Sequence, residues 1–133
     1  MHAGNLIRQI SQTLQNDHRV VFAYLYGSTI SQETGNDIDI ALFSIDNADP
    51  HQLAADIKIA LHKATQIPPD LFDVRVLNRI LKSGDIFSLL FLKNLFADNR
   101  MLVDNDKELR TEFIEAYGLK FRECEGLMQE LVE

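Results

Sequence analysis

Three segments of the chain have the hydrophobic pattern of β-strands. Residues 20–26 (VVFAYLY) are β-branched, aliphatic or aromatic throughout, which is typical of a strand buried on both faces. Residues 38–43 (IDIALF) indicate a second strand, and residues 71–77 (LFDVRVL) a third in which the side chains alternate. Alternation assigns the side chains of the third strand to two faces: Phe72, Val74 and Val76 to one, and Leu71, Asp73, Arg75 and Leu77 to the other.

Two segments around these strands have the spacing of amphipathic helices. Residues 5–15 carry apolar side chains every four positions, on a stripe that should cover one face of a sheet. Residues 47–66 predict a second helix, with Asp49 as its N-cap and Pro50 at its first position. Both helices therefore have an apolar face with which to pack on the sheet.

The last third of the chain predicts two more helices around a short strand. Residues 85–93 (DIFSLLFLK) should be helical with Asp85 as cap, and residues 100–103 (RMLV) should form a short edge strand. From residue 106 to 131, apolar side chains recur every three or four positions, as on one long amphipathic helix. Helices that alternate with strands predict a single α/β or α+β domain over residues 1–133, in which helices cover a sheet.

Length and composition agree with one globular domain. The 133 residues are 46% hydrophobic and have a formal charge of −7, which argues against direct nucleic-acid binding because that requires basic side chains. No apolar run reaches the ~20 residues that span a bilayer, and the start of the chain lacks the apolar core of a secretion signal. Cys124 is the only cysteine, and its place on the stripe of the long helix predicts a core position. We therefore expect a cytoplasmic protein without a membrane partner.

Two aspartates interrupt the apolar pattern of the second strand. Asp37 and Asp39 should project from the same strand face, with Cα atoms roughly 6.5 to 7 Å apart. At that distance both can reach one or two divalent cations, and without a cation they repel each other. Asp73, near the start of the third strand, is placed to provide a third carboxylate. Since Mg²⁺ binds a few carboxylates together with substrate phosphate oxygens, the pattern predicts a phosphoryl-transfer site.

Gly27 and Ser28 directly follow the first strand. A glycine lets the backbone approach an anion closely, and a hydroxyl with nearby N–H groups can hold phosphate oxygens. Taken alone, a Gly-Ser pair or two neighbouring aspartates are more often structural or solvated than functional. The ordered combination of strand, Gly-Ser, short loop, acidic strand, helix and a further acidic strand favours a functional site.

This ordered set of motifs resembles the nucleotidyltransferase superfamily that includes DNA polymerase β. The likeness covers nearly the whole chain and is closest to the minimal nucleotidyltransferase (MNT) members, which are antitoxin partners of HEPN toxins. The matching segments are YGS at 26–28, NDIDIALF at 36–43, FDVRVLNR at 72–79, RMLVDND at 100–106 and the long helix that contains EAYGLKFRECEGLM. The resemblance implies a DNA polymerase β-like fold, with a mixed sheet covered by helices and a long C-terminal helix.

The resemblance also implies roles for five residues. Gly27 and Ser28 would contact the nucleotide phosphates, and Asp37, Asp39 and Asp73 would be the catalytic carboxylates that bind Mg²⁺. Family members of this kind transfer AMP from ATP to a tyrosine of the cognate HEPN ribonuclease, which silences that toxin. We therefore expect an Mg²⁺-dependent antitoxin that uses ATP as substrate and forms a hetero-oligomer with a HEPN toxin.

Two departures from the family pattern leave other functions open. Only the eight residues 29–36 separate Gly-Ser from the first aspartate, fewer than is usual, and no lysine or arginine occurs between Arg19 and Lys58. Phosphate charge would then be met by metal, by backbone or by a basic residue further on: Arg75, Arg79 or Lys82. One alternative is a catalytically weak or inactive antitoxin that neutralises its toxin by binding alone. Another is a drug-modifying nucleotidyltransferase, although such enzymes generally carry an additional acceptor-binding domain.

Overall fold

The computed structural model describes residues 3–27, 37–82 and 85–132, and these form a four-stranded sheet with helices on both faces. In chain order the elements are α1 (Ala3–Gln15), β1 (Val20–Tyr26), β2 (Ile38–Ser44), α2 (Pro50–Thr65), a 3₁₀ turn (Pro69–Leu71), β3 (Phe72–Val76), α3 (Ile86–Ala97), β4 (Asn99–Asp104) and α4 (Lys107–Val132). The predicted alternation of helices and strands is confirmed, and so are the short strand β4 and the long helix α4.

Helix α2 begins and ends at the residues that its sequence predicts. The Asp49 carboxylate accepts hydrogen bonds from the backbone N–H groups of His51 and Gln52, at 2.9 and 3.2 Å. Pro50 is the first residue of the helix, where its missing N–H has no helical partner to lose. The helix ends where Gln66 adopts a left-handed conformation with φ of 68°.

Helices α3 and α4 also begin at acidic caps. Asp85 and Asp106 each accept a hydrogen bond of 3.0 Å from a backbone N–H in the first turn of the helix that follows. Helix α3 continues to Ala97 rather than ending near residue 93, because buried residues such as Leu95 continue its contact with the sheet. None of the helices in the described ranges has both the length and the apolar character needed to cross a membrane.

The sheet is mixed, with strand order β3-β2-β1-β4. Strand β1 pairs antiparallel with β2 and with β4, whereas β2 and β3 are parallel and are connected through α2. Strand β4 lies at one edge, as predicted, and β3 lies at the other. The last residue of β1 therefore lies at the end of the sheet where β2 and β3 begin.

Two hydrophobic layers pack on the two faces of the sheet. Helices α1 and α2 cover the first face with a set of buried residues: Ile10, Leu14, Leu53, Ile57 and Leu61. Strand β3 turns Phe72, Val74 and Val76 toward this layer, as its alternation predicts. Helices α3 and α4 cover the second face, where the buried residues are Phe22, Tyr24, Ala41, Leu77, Leu92, Leu95 and Phe113. Side chains of β3 that alternate with Phe72, such as Asp73, therefore belong to the α3/α4 face.

The second half of α4 packs less closely than its apolar stripe predicts. Phe113 is buried, but Tyr117 and Cys124 are only partly buried and Leu119 is 57% exposed. A helix of 26 residues is about 39 Å long, whereas a seven-residue strand spans roughly 23 Å, so α4 extends past the sheet. The prediction that Cys124 lies in the core is therefore wrong.

Asn78, the second residue after β3, extends the pairing between β2 and β3 through its side chain. Its Oδ1 accepts the backbone N–H of Ser44 at 2.8 Å, and its Nδ2 donates to the Ser44 carbonyl at 2.7 Å. Ser44 is buried, so Asn78→Ala would leave both backbone groups without these partners. We expect a loss of about 1 to 3 kcal/mol in the free energy of unfolding, measured by urea denaturation. Asn94→Ala on an exposed position of α3 is the control, and an equally small effect of Asn78→Ala would contradict the prediction.

Candidate active site

Strand pairing aligns four polar side chains in one row across the sheet. Asp39 of β2 is the register partner of Tyr26 on β1 and of Asp73 on β3, and Tyr26 is in turn the partner of Asn99 on β4. Paired residues of neighbouring strands project from the same face, so the carboxylates of Asp39 and Asp73 lie side by side. They lie on the α3/α4 face, at the end of the sheet where β1 ends and β2 and β3 begin. The structure thus brings together two of the three predicted carboxylates from separate strands.

Asp37 directly precedes β2 rather than lying within it. It nevertheless belongs to the same electrostatic cluster, because its charge acts on Asp39. Burial raises the pKa of the Asp39 carboxyl, and the negative charges of Asp73 and Asp37 raise that pKa further. The positive charge of Arg75 lowers it. A cation placed among these carboxylates would relieve the repulsion that the raised pKa reflects.

The space beside Gly27 is occupied by the Asp39 carboxylate. Its φ is +71°, in the left-handed region that side chains other than glycine rarely adopt. A Cβ atom at this position would lie 2.6 Å from Oδ2 of Asp39, which is closer than such atoms approach in proteins. The glycine therefore allows the backbone at the end of β1 to lie directly beside the carboxylates of Asp39 and Asp73, which we call the acidic row. Ser28 and residues 29–36 lie outside the described residues.

An aromatic and cationic group borders the carboxylates, and of its members the sequence had pointed only to Arg75. The rings of Tyr26 and Phe91 meet edge to face with centroids 5.5 Å apart, and the Arg75 guanidinium lies 4.7 Å from the Phe91 centroid. Arg75 Nε is also 4.0 Å from Oδ2 of Asp73. Burial raises the pKa of the Tyr26 hydroxyl, so it keeps its proton at neutral pH. The two-residue period of β1 places Phe22, Tyr24 and Tyr26 on one face, and this is the only signal in the sequence that could have pointed to Tyr26. No local pattern predicts that Phe91 contacts Arg75.

The donor set fits a metal ion that arrives with a nucleotide. Within the described residues, no group of three or more histidine, cysteine, aspartate or glutamate side chains is arranged to hold a metal by itself. Mg²⁺ usually keeps several waters and binds one or two protein carboxylates together with substrate phosphates. The adjacent carboxylates of Asp39 and Asp73 can supply two oxygen ligands, and Asp37 lies near enough to influence Asp39. The metal role of these three residues stays a prediction.

The raised pKa of Asp39 makes the stability of the metal-free protein depend on pH. Because the folded state binds this proton more tightly than the unfolded chain, ionisation of Asp39 opposes folding. The unfavourable contribution is absent below the ordinary pKa of 3.8 and becomes complete as the pH rises through the folded-state pKa. Asp39→Asn should therefore melt at a higher temperature than the native chain at neutral pH, with a difference that shrinks in acid. Thermal melts in EDTA across this range check the prediction, and a difference that grows in acid would contradict it.

The fold is similar to those of solved toxin–antitoxin complexes. The match to the toxin–antitoxin MntA-HepT has a TM-score of 0.59 at 17% identity and covers 98% of this chain and 99% of that one. A second match is to the tri-AMPylated Shewanella oneidensis HEPN toxin in complex with MNT antitoxin, with a TM-score of 0.61, 17% identity, and coverage of 99% and 100%. A third is to a toxin–antitoxin with AMP-PNP, with a TM-score of 0.62, 18% identity, and coverage of 96% and 98%. At these identities the likeness establishes the fold. No curated protein matches the chain in sequence.

A family model matches most of the chain. The model is described as Polymerase beta, Nucleotidyltransferase, and it matches residues 8–108. This region contains all four strands and the three carboxylates. The resemblance to the DNA polymerase β superfamily is confirmed: the chain belongs to the Polymerase beta nucleotidyltransferase family.

Proposed function

We propose that this chain is an antitoxin that transfers AMP from ATP to a tyrosine of a cognate HEPN ribonuclease toxin and thereby neutralises it. The observation that carries the proposal is the in-register pair of Asp39 and Asp73 beside the left-handed turn at Gly27. This arrangement offers adjacent carboxylates and closely approaching backbone at one end of the sheet. The reaction would take place in the cytoplasm, within a hetero-oligomer of antitoxin and toxin.

The structural neighbours support the choice of acceptor and nucleotide. One of them contains a HEPN toxin that carries three AMP groups, and another contains AMP-PNP, an ATP analogue. In both, the matched chain is covered almost completely by this one. A protein acceptor also agrees with the net charge of −7, which does not favour a nucleic-acid acceptor.

The proposed roles of the carboxylates and Gly27 draw on where these residues lie, and the role of Ser28 rests on the family motif alone. Asp37, Asp39 and Asp73 would hold Mg²⁺, which when bound supplies positive charge that stabilises the phosphoryl oxygens. Gly27 would let backbone N–H groups approach the phosphates closely, and Ser28 would contribute its hydroxyl. Because a Cβ atom at Gly27 would lie 2.6 Å from Oδ2 of Asp39, the phosphate-binding turn would begin directly beside the acidic row.

Asp73 is the carboxylate best placed to accept the proton of the acceptor. It lies on the edge strand β3, and its side chain is 45% exposed, so an acceptor tyrosine can reach it from outside the sheet. In the reaction the tyrosine oxygen forms a bond to the α-phosphorus of ATP, the bond from that phosphorus to the β-phosphate oxygen breaks, and pyrophosphate leaves. The phenolic proton passes to Asp73 and then to solvent.

The decisive experiment is the intact mass of the partner toxin. A HEPN ribonuclease encoded in the neighbouring reading frame is mixed with this protein, ATP and Mg²⁺, and its mass is measured by mass spectrometry. We expect gains of whole adenylyl groups that require ATP and this protein and that disappear when the acceptor tyrosine is changed to phenylalanine. Neutralisation of the ribonuclease without any mass gain, and without ATP, would replace the proposal with an antitoxin that acts by binding alone.

A further inference from the structure

We infer that Arg75 binds the polyphosphate of the nucleotide substrate, and that it exchanges its contact with Asp73 for phosphate oxygens when the nucleotide arrives. The inference rests on the proposed function, because it assumes that this end of the sheet holds a nucleotide. It assigns a substrate-binding role to one of the basic residues that follow the acidic strand.

The geometry holds the Arg75 guanidinium near the acidic row without occupying its donors. The contact to Asp73 is 4.0 Å, longer than a charge-assisted hydrogen bond, and the side chain is 55% exposed. The guanidinium forms no hydrogen bond with any described residue under ordinary distance limits. Phe91 supports it from α3 at 4.7 Å from the ring centroid. Its planar set of donors is therefore oriented but available to a ligand.

The concentration of negative charge at this place favours a cationic side chain beside the metal. Three carboxylates and a polyphosphate concentrate negative charge here, while the turn after β1 contains no lysine or arginine. Arg19, at the start of β1, is bound to Asp17 at 2.7 Å and to Asp56 at 3.0 Å. Arg79 lies beyond the far end of β3, beside Ser44 and away from Asp73. Among the basic residues that the structure describes, Arg75 is the one whose positive charge lowers the pKa of Asp39.

If Arg75 exchanges Asp73 for phosphate oxygens, removing its charge should have opposite effects on the binding of Mg²⁺ alone and of nucleotide. Without nucleotide, Arg75 partly neutralises the carboxylates and so competes with a divalent cation for them. With nucleotide, it offers the paired N–H geometry that matches phosphate oxygens. Removing its charge should therefore strengthen the binding of Mg²⁺ alone and weaken the binding of nucleotide. A side chain with a merely structural role would weaken both.

The test compares Arg75→Gln with Arg79→Gln, which removes the same charge beyond the end of β3, beside Ser44. Calorimetric titration of the full chain with MgCl₂ alone should show several-fold tighter binding for Arg75→Gln. Titration with AMP-PNP and Mg²⁺ should show binding weakened by roughly 10- to 100-fold, as for the loss of charge-assisted hydrogen bonds. Arg75→Lys should fall between the native chain and Arg75→Gln, because lysine keeps the charge but lacks the planar fork. Arg79→Gln should match the native chain in both titrations.

The outcomes separate this inference from the proposed function. If Arg75→Gln binds AMP-PNP as tightly as the native chain, or loses both ligands together with a lower melting temperature, the inference is overturned. AMP transfer to the toxin by the native chain would stand in either case. Conversely, nucleotide binding that depends on Arg75 but no transfer to any HEPN toxin would support the inference and overturn the proposed acceptor.

Discussion

We expect Asp39→Asn to reduce AMP transfer by about 100- to 1000-fold while the protein stays folded. Asparagine has nearly the same size but lacks the negative charge that a metal-bound nucleotide needs. The substitution also removes one of several neighbouring negative charges, so it should not destabilise the chain in the absence of metal. The rate is measured from the time course of adenylyl addition to the toxin, and folding by circular dichroism.

Asp46→Asn is the matched control for this experiment. Asp46 is exposed and lies just past the other end of β2, so the same chemical change occurs far from Gly27 and Asp73. It should leave the transfer rate within about twofold of the native value. Transfer that persists at the native rate in Asp39→Asn would remove Asp39 from the reaction and leave the fold assignment intact.

The second large effect is expected from Gly27→Ala. The new Cβ would meet Oδ2 of Asp39 at 2.6 Å, so either the turn or the carboxylate must move. A displacement of about 1 Å at a reacting centre can lower a rate by roughly 100-fold. The left-handed backbone adds a cost of about 1 to 2 kcal/mol to folding, since alanine adopts it poorly. Transfer rates and urea denaturation measure the two effects separately.

Gly118→Ala provides the comparison for this substitution. Gly118 lies within α4, and nothing is within 4 Å of the position that its Cβ would take. Alanine there should stabilise the helix by up to about 1 kcal/mol and leave the transfer rate unchanged. Similar losses in both variants would mean that the Gly27 effect does not arise from a clash between the new Cβ and Asp39.

Much of this architecture could be predicted because its signals are local. The N-caps at Asp49 and Asp85 can be predicted from the cap residue and the helical pattern that follows it. The sheet face on which Asp73 lies follows from the two-residue period of its strand. The family motifs added the expectation that separate acidic strands meet. The caps and the strand face depend only on neighbours in the sequence.

The remaining features depend on pairing between distant segments. Asp39 aligns with Asp73 because of the register between the parallel strands β2 and β3, and no local sequence pattern predicts that register. The support of Arg75 by Phe91 depends on how α3 crosses the sheet. The error at Cys124 has a similar origin, because an apolar stripe does not indicate where the surface that it covers comes to an end. The sequence therefore indicated which residues to consider but not which of them touch.

The alternation of β2 ties the position of the Asp39 charge to correct folding. Ile38 and Ile40 are buried beneath α1 and α2, while Asp39 between them faces the opposite side. If the strand slipped by a single residue, the carboxylate would enter the hydrophobic layer and the isoleucines would leave it. Burying an unpaired carboxylate is so costly that a misaligned chain could not close its core. Asp39 thus penalises mispairing during folding, which means that neutral substitutes at this position should fold with less fidelity even where they raise the melting temperature.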